Sequence, residues 1–315
     1  MTSQIISRDV VVDLVTVTFS GEIQSFLLQA RSVDLFFDFD VLGRYIVVWN
    51  DTAPVEELHA QISGLPPRLL DRIEIHSASD VREVAGRAKG WLVQQVLKLQ
   101  AVASSKAPFV LVLDSKNHLI SPISFDDLVS KDGLPITRSM NYMNKAAFRA
   151  LLEGGMDYFG VEKTEEALSF ALPTTTPNMM ISAVVRDMLK NIEDREGSFA
   201  DAFFNGNLRY ISTEFLLYYS YIVYSGAPLK SIYAFSPENA ITFFKSSPKD
   251  EPGIKMALGR LARPSTKFLA VHRVRLSRLS ELERESFSQL WLDRGLFNSQ
   301  DDIEEFIGSF DGAGK

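Results

Sequence analysis

GRAKGWLVQQVLKLQAVASSKAPFVLVLDSKNHLISP, residues 86–122, is the stretch that decides the fold class. Its first half has helical periodicity that ends near Ser104–Ser105, and a turn follows at Lys106–Pro108. Phe109–Leu113 is an unbroken apolar run that ends in Asp114, a pattern typical of a buried parallel strand followed by a polar loop. A helix, a buried strand and an acidic loop in this order predict an α/β protein with its chemistry at the strand end.

The helix in this stretch carries two separate stripes at helical spacing. The apolar stripe contains Leu92, Val96, Leu99 and Ala103. The other stripe combines two cations, two amides and an indole, from Arg87, Trp91, Gln94, Gln95 and Lys98. This second face either meets an anionic ligand or is simply solvated, and both interpretations remain open. The neighbouring loop at Asp114 favours the ligand.

The composition excludes several classes of protein. With 315 residues and 46% hydrophobic content, the chain can bury a large α/β core. A net charge of -7 without a block of Lys and Arg argues against an extended nucleic-acid surface. Because cysteine is absent, disulfides, thiolate metal sites and cysteine nucleophiles are excluded together.

The first residues, MTSQIISRDVVVDL, contain early charges and no long apolar run. This pattern predicts neither a signal peptide nor a membrane anchor. No apolar run elsewhere reaches the roughly 18 residues that a spanning helix needs. We therefore expect a cytoplasmic protein with no transmembrane segment.

Residues 10–114 alternate between strand and helix patterns. Strands are predicted at Val10–Thr18, at Tyr45–Trp49, around Arg72–His76 and at Phe109–Leu113. Helices are predicted at Ile23–Phe37, at Pro54–Ala60 and before Ser104–Ser105. Strands that end in polar residues and lead into helices predict a mostly parallel sheet with its ligand at the carboxyl edge. The chain has no GxGxxG after the first strand and no GxxxxGK[ST], so dinucleotide and Walker-type sites lack their signatures.

The alternation is less regular after Asp114. The predicted elements are a strand at Leu134–Met140, a helix at Lys145–Leu152, a flexible turn at Gly154–Gly155, a helix capped by Thr176–Pro177–Asn178 and running through Ile192, a helix at Ser212–Tyr224, a strand at Lys267–Arg273 and two helical patterns in Ser280–Phe310. Glu214 stands almost alone in an aromatic helix, as a satisfied structural acceptor or as a working acid, base or metal-side group. His272 lies at the polar end of the late strand.

Two hydrolytic chemistries lack their motifs. A serine hydrolase of the α/β class needs G-x-S-x-G, which the chain does not contain. A phosphatase of the haloacid-dehalogenase type needs Asp-x-Asp after a strand near the chain start. Here Lys116 holds the third position, and three predicted strands come before Asp114.

The order of these segments resembles the GT-A class of nucleotide-sugar glycosyltransferases. The resemblance rests on Thr18–Phe19–Ser20 after the first strand and on the segments YIVVWND, GWLVQQVLKL, VLVLDSKNHLI, STEFLLY and AVHR. More closely, residues 10–275 resemble a bacterial glycosyltransferase-like family of unknown function that shares the GW..QQ..KL helix and the LDS or LDA strand end.

The resemblance implies a single-domain, GT-A-like (Rossmann-like) α/β fold with a mostly parallel central sheet flanked by helices. It implies a glycosyltransferase domain at residues 1–275, with a nucleotide-sugar-binding half at 10–122 and an irregular acceptor-side half at 123–275. A C-terminal helical extension would follow at 276–315. The implied activity is a hexosyltransferase-type transfer from a nucleotide-diphosphate sugar to a glycan or other hydroxyl acceptor, in bacterial surface polysaccharide or glycoconjugate synthesis.

The resemblance also assigns donor-binding residues. Thr18 and Phe19 would lie by the nucleotide base, and Asp51 by the base or the ribose. Asp114 would hold the first position of the Asp-x-Asp motif, near the ribose and the diphosphate. The further donor-binding candidates are Arg87, Trp91, Gln95, Lys98, Lys116 and His272.

The predicted catalytic residues are Glu214, Asp114 and Lys116. Glu214 would match the acidic residue on the acceptor-side helix, a general base. His272 would match a late histidine that ligates the metal or touches the diphosphate, so Asp114 and His272 are the ligands for a divalent cation (Mn or Mg) if one binds.

Lys116 departs from the pattern of the class, because the last acid of Asp-x-Asp holds that cation and a lysine repels it. Two interpretations follow. Lys116, helped by Arg87 and Lys98, supplies the positive charge and stabilises the leaving diphosphate without a metal. Alternatively, the protein is a catalytically degenerate GT-A-like binding or scaffold protein.

Overall fold

The structure, a computed structural model, describes residues 11–86 and 90–313, so the predicted site residue Arg87 lies outside the described residues. The strands are β1 (Val12–Thr18), β2 (Leu42–Trp49), β3 (Ile73–Ser77), β4 (Phe109–Asp114), β5 (Asn117–Leu119), β6 (Ile136–Thr137), β7 (Asn178–Ile181), β8 (Ala234–Phe235), β9 (Ala240–Phe243) and β10 (Phe268–Val271). The main sheet has the order β3-β2-β1-β4-β7. Strands β1 to β4 are parallel and β7 is antiparallel to β4. The chain is a mixed α/β domain with a mostly parallel central sheet, as predicted.

Helices flank this sheet, and a 3-10 turn at Ser20–Glu22 follows β1. The helices are α1 (Ile23–Phe36), α2 (Val55–Ile62), α3 (Pro67–Leu70), α4 (Ser79–Ala85), α5 (Gly90–Ser104), α6 (Phe125–Leu128), α7 (Ala146–Phe159), α8 (Glu165–Ser169), α9 (Ser182–Glu196), α10 (Phe199–Phe204), α11 (Glu214–Tyr224), α12 (Leu229–Ile232), α13 (Glu251–Leu261), α14 (Arg273–Leu276), α15 (Glu281–Asp293) and α16 (Gln300–Gly308). None of the helices in the described ranges has both the length and the apolar content of a membrane span.

The central strand β1 is buried over its whole length, and its side chains alternate between two cores. Val15 and Val17 face one core together with α5, α9 and α11, whereas Leu14 faces the other together with α1 and α2. Because successive strand side chains point to opposite faces, a strand that is buried over its whole length requires cover on both faces. The apolar run at β4 has the same cause.

A third core joins the C-terminal helices to a small sheet of order β5-β10-β9. The fully buried Trp291 of α15 donates its indole Nε1–H to Nε2 of His118 on β5, at 2.9 Å. The imidazole also has a hydrogen bond with the backbone of Lys116. The two helices predicted in Ser280–Phe310 are confirmed, and the first of them contacts the strand that follows Asp114 through Trp291.

The alternation predicted for the first half of the chain is confirmed. Predicted and observed strands agree within a few residues, from β1 to the end of β4 at Asp114. In the second half, the predicted strand at Leu134–Met140 shrinks to Ile136–Thr137, and the helix predicted at Lys145–Leu152 extends from Ala146 to Phe159.

The helix start predicted at Thr176–Pro177–Asn178 is wrong. Asn178–Ile181 is a strand that pairs with β4, and the helix begins only at Ser182. Met179 and Met180 pack into the two different cores, which is the alternation of a strand. A short apolar run before a helix has no periodicity that separates strand from helix, and this caused the error.

The flexible turn predicted at Gly154–Gly155 is also wrong, because both residues lie inside α7. A Cβ atom at Gly154 would lie 2.1 Å from the carbonyl oxygen of Ile211, and one at Gly155 would lie 2.7 Å from Oγ of Ser220. The glycines therefore permit α7 to approach α11 and the segment before it more closely than any side chain would allow.

We expect His118 to make stability depend on pH. Burial lowers the pKa of this imidazole to about 3, whereas in the unfolded chain it titrates near pH 6.5. Between these values the unfolded state binds the additional proton, so the free energy of unfolding falls as the pH falls, by up to about 1.4 kcal/mol per pH unit. Urea unfolding at several pH values should show a weaker dependence in His118→Asn than in the parent chain. Equal dependence in the two proteins would contradict this origin.

Candidate active site

A polar cleft lies at the carboxyl ends of β1 and β4. From β1 the chain adds β2 and β3 on one side, and it then returns to add β4 on the other side of β1. The order of the strands therefore reverses between β1 and β4. Open α/β sheets bind ligands at such a topological switch point. The cleft has a volume of about 360 Å³. Cavities of about 400 Å³ beside α1 and about 470 Å³ beside α13 lie away from the strand ends.

Asp114 ends β4 at the floor of this cleft, between two lysine ammonium groups. Nζ of Lys98 lies 2.7 Å from Oδ1 of Asp114, and Nζ of Lys116 forms an ion pair with Oδ2. The hydroxyl of Thr176 donates to the same Oδ2 at 2.9 Å. Burial alone would raise the pKa of Asp114, but the charges of Lys116 and Lys98 outweigh it and hold the pKa well below its usual range.

Lys98 bridges two acids, since its Nζ also lies 3.1 Å from Oε1 of Glu214. Burial opposes the charged ammonium, but the carboxylates of Asp114 and Glu214 outweigh it and raise the pKa of Lys98. One turn earlier on α5, Oε1 of Gln95 accepts the backbone N–H of Glu214 at 3.1 Å. The face of α5 that carries Gln95 and Lys98 is therefore buried against the start of α11, and the interpretation of a solvated face is wrong for these two residues.

His272 lies on the opposite wall and caps α14, where its Nδ1 accepts the backbone N–H of Val274 at 3.1 Å. Burial, with the nearby charge of Lys116, lowers the pKa of His272 to about 4. The ring is therefore neutral at neutral pH.

Glu22, in the turn after β1, also lines the cleft and was missed from the sequence. Burial raises the pKa of its carboxylate, although Lys116 counteracts the effect. Its Oε1 lies 4.0 Å from Nε of Arg273, and the carboxylate also has a hydrogen bond with the side chain of Ser115. Its position directly after a parallel strand was the signal, because polar residues at strand ends collect at the ligand edge.

The sequence of residues 10–241 matches the model of a family of unknown function, DUF6492. The chain belongs to this family. The matched range contains β1 to β8 and the start of β9, and with them every predicted site residue except His272. No curated protein matches the DUF6492 chain.

Two solved glycosyltransferases are similar in fold to this DUF6492 protein. The bifunctional glycosyltransferase WbbM, in its apo form, is 11% identical over 96% of this chain, with a TM-score of 0.48, and this chain spans about half (52%) of WbbM. The galactosyltransferase LgtC, in complex with donor and acceptor sugar analogues, is 9% identical over 94% of this chain and 99% of its own, with a TM-score of 0.49. At these sequence identities and TM-scores, the structural similarity gives no information about which donor or acceptor this protein uses.

The cleft brings together six residues that the sequence predicts for the site. They are Trp91, Lys98, Asp114, Lys116, Glu214 and His272. Gln95 lies behind this group and positions Glu214. The roles assigned to these residues stay predictions.

Three other predicted residues lie outside the lining of the cleft. Thr18 is fully buried, and among the described residues its hydroxyl oxygen finds no hydrogen-bond partner. The ring of Phe19 lies 5.3 Å below the guanidinium of Arg273. Asp51 accepts the backbone N–H groups of Ser20, Thr52 and Ala53. These bonds connect the loop after β1 to the loop after β2. Despite partial burial, they also lower the pKa of Asp51 to about 2.

The donor set around Asp114 does not suit a divalent cation. Both carboxylate oxygens already face lysine ammonium groups, which repel a metal ion. Within residues 11–86 and 90–313, no three His, Cys, Asp or Glu side chains form a group that could hold a metal ion. The positive charges that the structure shows at Asp114 are those of Lys98 and Lys116.

We expect Lys98→Met to destabilise the fold by about 3–5 kcal/mol, because it leaves Glu214 buried without its ion partner. In the double variant Lys98→Met, Glu214→Gln, most of this loss should be recovered. The measurement is the free energy of unfolding in urea. The control is Lys190→Met, which breaks an ion pair with Asp194 on the surface and should leave stability nearly unchanged. Equal losses in the single and double variants would contradict the buried pairing.

Proposed function

We propose that this protein transfers a sugar from a nucleotide-diphosphate sugar to a hydroxyl acceptor. The observation that carries the proposal is the pair of ammonium groups at Asp114, on the floor of a cleft at the switch point of a parallel sheet. Such a cleft is where α/β proteins bind nucleotides, and the ammonium of Lys116, which is only partly buried, can pair with a phosphate oxygen. The resemblance of the sequence to the GT-A class supports the same activity.

Lys116 is the group that would contact the diphosphate. It lies on the tight turn between β4 and β5 and remains partly exposed to the cleft, whereas Lys98 is buried. Lys116 can therefore exchange part of its contact with Asp114 for a phosphate oxygen while Lys98 keeps Asp114 in place. Positive groups that are held in position stabilise the charge that develops on a leaving diphosphate.

The proposed reaction is a displacement at the anomeric carbon of the donor. The oxygen of the acceptor hydroxyl forms a bond to that carbon, and the bond from the carbon to the diphosphate oxygen breaks with its electron pair on the nucleoside diphosphate. The hydroxyl proton passes to the carboxylate of Glu214, which lines the cleft in the first turn of α11. The ion pair with Lys98 holds this carboxylate in position.

The same geometry favours a second candidate, a protein that binds a nucleotide sugar without turnover. The specific observation is that Asp114 and Glu214 both contact Lys98, so the two predicted acids are already paired within the protein. A binding protein needs the ammonium of Lys116 for the diphosphate and no free base. Detection of a released nucleoside diphosphate separates the two candidates.

We expect donor binding to be independent of a divalent cation. In thermal-shift and calorimetric assays, one or more of the UDP-, GDP- and dTDP-sugars should stabilise the protein equally with Mn²⁺ and with EDTA. CMP-sugars, which lack a diphosphate, should bind more weakly. Lys116→Ala should lower the affinity about 10- to 100-fold, the effect of one lost charge-assisted hydrogen bond.

The control for this assay is Lys255→Ala, which removes a lysine that pairs with Glu251 on the surface. It should bind the same donor with unchanged affinity. Binding that requires Mn²⁺, or an unchanged affinity in Lys116→Ala, would contradict stabilisation of the diphosphate by lysine.

We expect Glu214→Gln to lower the rate of sugar transfer, or of donor hydrolysis with water as acceptor, by about 10²- to 10⁴-fold. Donor affinity should change little, because Lys116 and Lys98 remain. The measurement is release of nucleoside diphosphate together with calorimetric binding. Glu22→Gln is the matched variant, since it alters the other carboxylate in the cleft. Loss of turnover only in Glu22→Gln would assign the base to Glu22 instead.

A further inference from the structure

Exposed aromatic side chains concentrate at the mouth of the cleft. In the part of the chain that the structure describes, five large aromatic side chains are exposed, and three of them line this cleft. The three are Trp91, at 54% exposure, and Phe148 and Phe244, each at 43%. The lysines and acids of the floor are far more buried, so the cleft has a charged floor and an aromatic mouth.

The three rings come from separate parts of the fold. Trp91 lies in the first turn of α5, Phe148 in the first turn of α7, and Phe244 directly after β9. They are therefore not one apolar face of a single helix, for which packing against a neighbour would be the usual explanation. Folded monomers seldom concentrate exposed aromatic surface in one place without a ligand or partner for it.

Neutral polar groups line the same cleft as the three rings, among them the amide of Gln94 and several threonine hydroxyls. Thr174, Thr175 and Thr213 line the same cleft, and hydroxyls of Thr174 and Thr213 lie 3.2 Å apart. Flat apolar surfaces beside neutral hydroxyls complement a pyranose ring, which has an apolar C–H face and a hydroxylated edge. Ligand pockets of this kind orient a mostly apolar contact with a few polar groups.

We propose that Trp91, Phe148 and Phe244 form the acceptor subsite and that the acceptor is a pyranose-containing glycan. This inference rests on the proposed function, in which the donor diphosphate binds at the floor of the cleft beside Lys116. The acceptor then binds after the donor, against the three rings at the mouth of the cleft. Trp91, which the sequence placed among the donor-binding residues, belongs to the acceptor side.

The tryptophans of the chain provide a direct test. Of its three tryptophans, Trp49 and Trp291 are buried and only Trp91 is exposed. Quenching of tryptophan fluorescence by acrylamide therefore reports on the mouth of the cleft. The probes are lactose, cellobiose, maltotriose and chitobiose, and the acyclic polyol sorbitol is the control with hydroxyls but no ring.

At least one of the four saccharides should lower the quenching constant roughly twofold or more, because a seated ligand buries most of its surface against the pocket. Sorbitol should not, and the effect should disappear in Trp91→Phe. The proposed acceptor subsite is wrong if no saccharide lowers the quenching constant more than sorbitol does. If uridine protects Trp91 and no saccharide does, the rings bind a nucleobase and the acceptor assignment is equally wrong.

Kinetics separate this inference from the proposed function. In Phe148→Ala and Phe244→Ala, the ratio of transfer to a protecting saccharide over donor hydrolysis should fall about 5- to 100-fold at low acceptor concentration, the effect of one lost stacking contact. Tyr210→Ala, which removes an exposed aromatic ring outside the cleft, should leave the ratio unchanged. An unchanged ratio in both phenylalanine variants overturns the subsite alone. Absence of both hydrolysis and transfer in the parent chain overturns the proposed function.

Discussion

The ammonium of Lys98, between the carboxylates of Asp114 and Glu214, is the interaction on which the site depends. It joins α5 to the end of β4 and to the start of α11, and each of these elements comes from a different part of the chain. Lys98 and Glu214 are both buried, so removal of Lys98 leaves Glu214 unpaired in a poorly solvating interior, whereas Asp114 keeps its contact with Lys116. This requirement fixes the relative positions of the three elements, and the floor of the cleft is formed where they meet.

Much of the fold could be predicted because its signals are local. The apolar runs of β1 and β4 are visible in windows of a few residues, and the polar residue that ends each strand marks the ligand edge. Asp114 was found in this way. The pairing of Lys98 with Glu214 could not be predicted, because 116 residues separate the two in sequence. The residues near Lys98 do not indicate that the fold places a carboxylate beside it. From the sequence, the polar face of α5 therefore suggested binding of an external anionic ligand.

The remaining errors have the same origin in distant contacts. Gly154 and Gly155 indicate a turn when only their neighbours in sequence are considered, but they lie where α7 must approach Ile211 and Ser220. Met179 and Met180 fit a helix equally well until β4 provides a strand edge for them to pair with. Glycine and short apolar runs are ambiguous locally, and tertiary packing decides their structure.

The hydrogen bond from Trp291 to His118 connects the floor of the cleft to the C-terminal helices. His118 lies two residues after Lys116 and has a hydrogen bond with its backbone, so the turn that presents this ammonium is attached to α15. We therefore expect opening of the C-terminal helices to be coupled to movement of Lys116. By linkage, an anion that binds Lys116 suppresses local unfolding of those helices and slows hydrogen exchange there, and loosening the helices weakens the anion in equal measure.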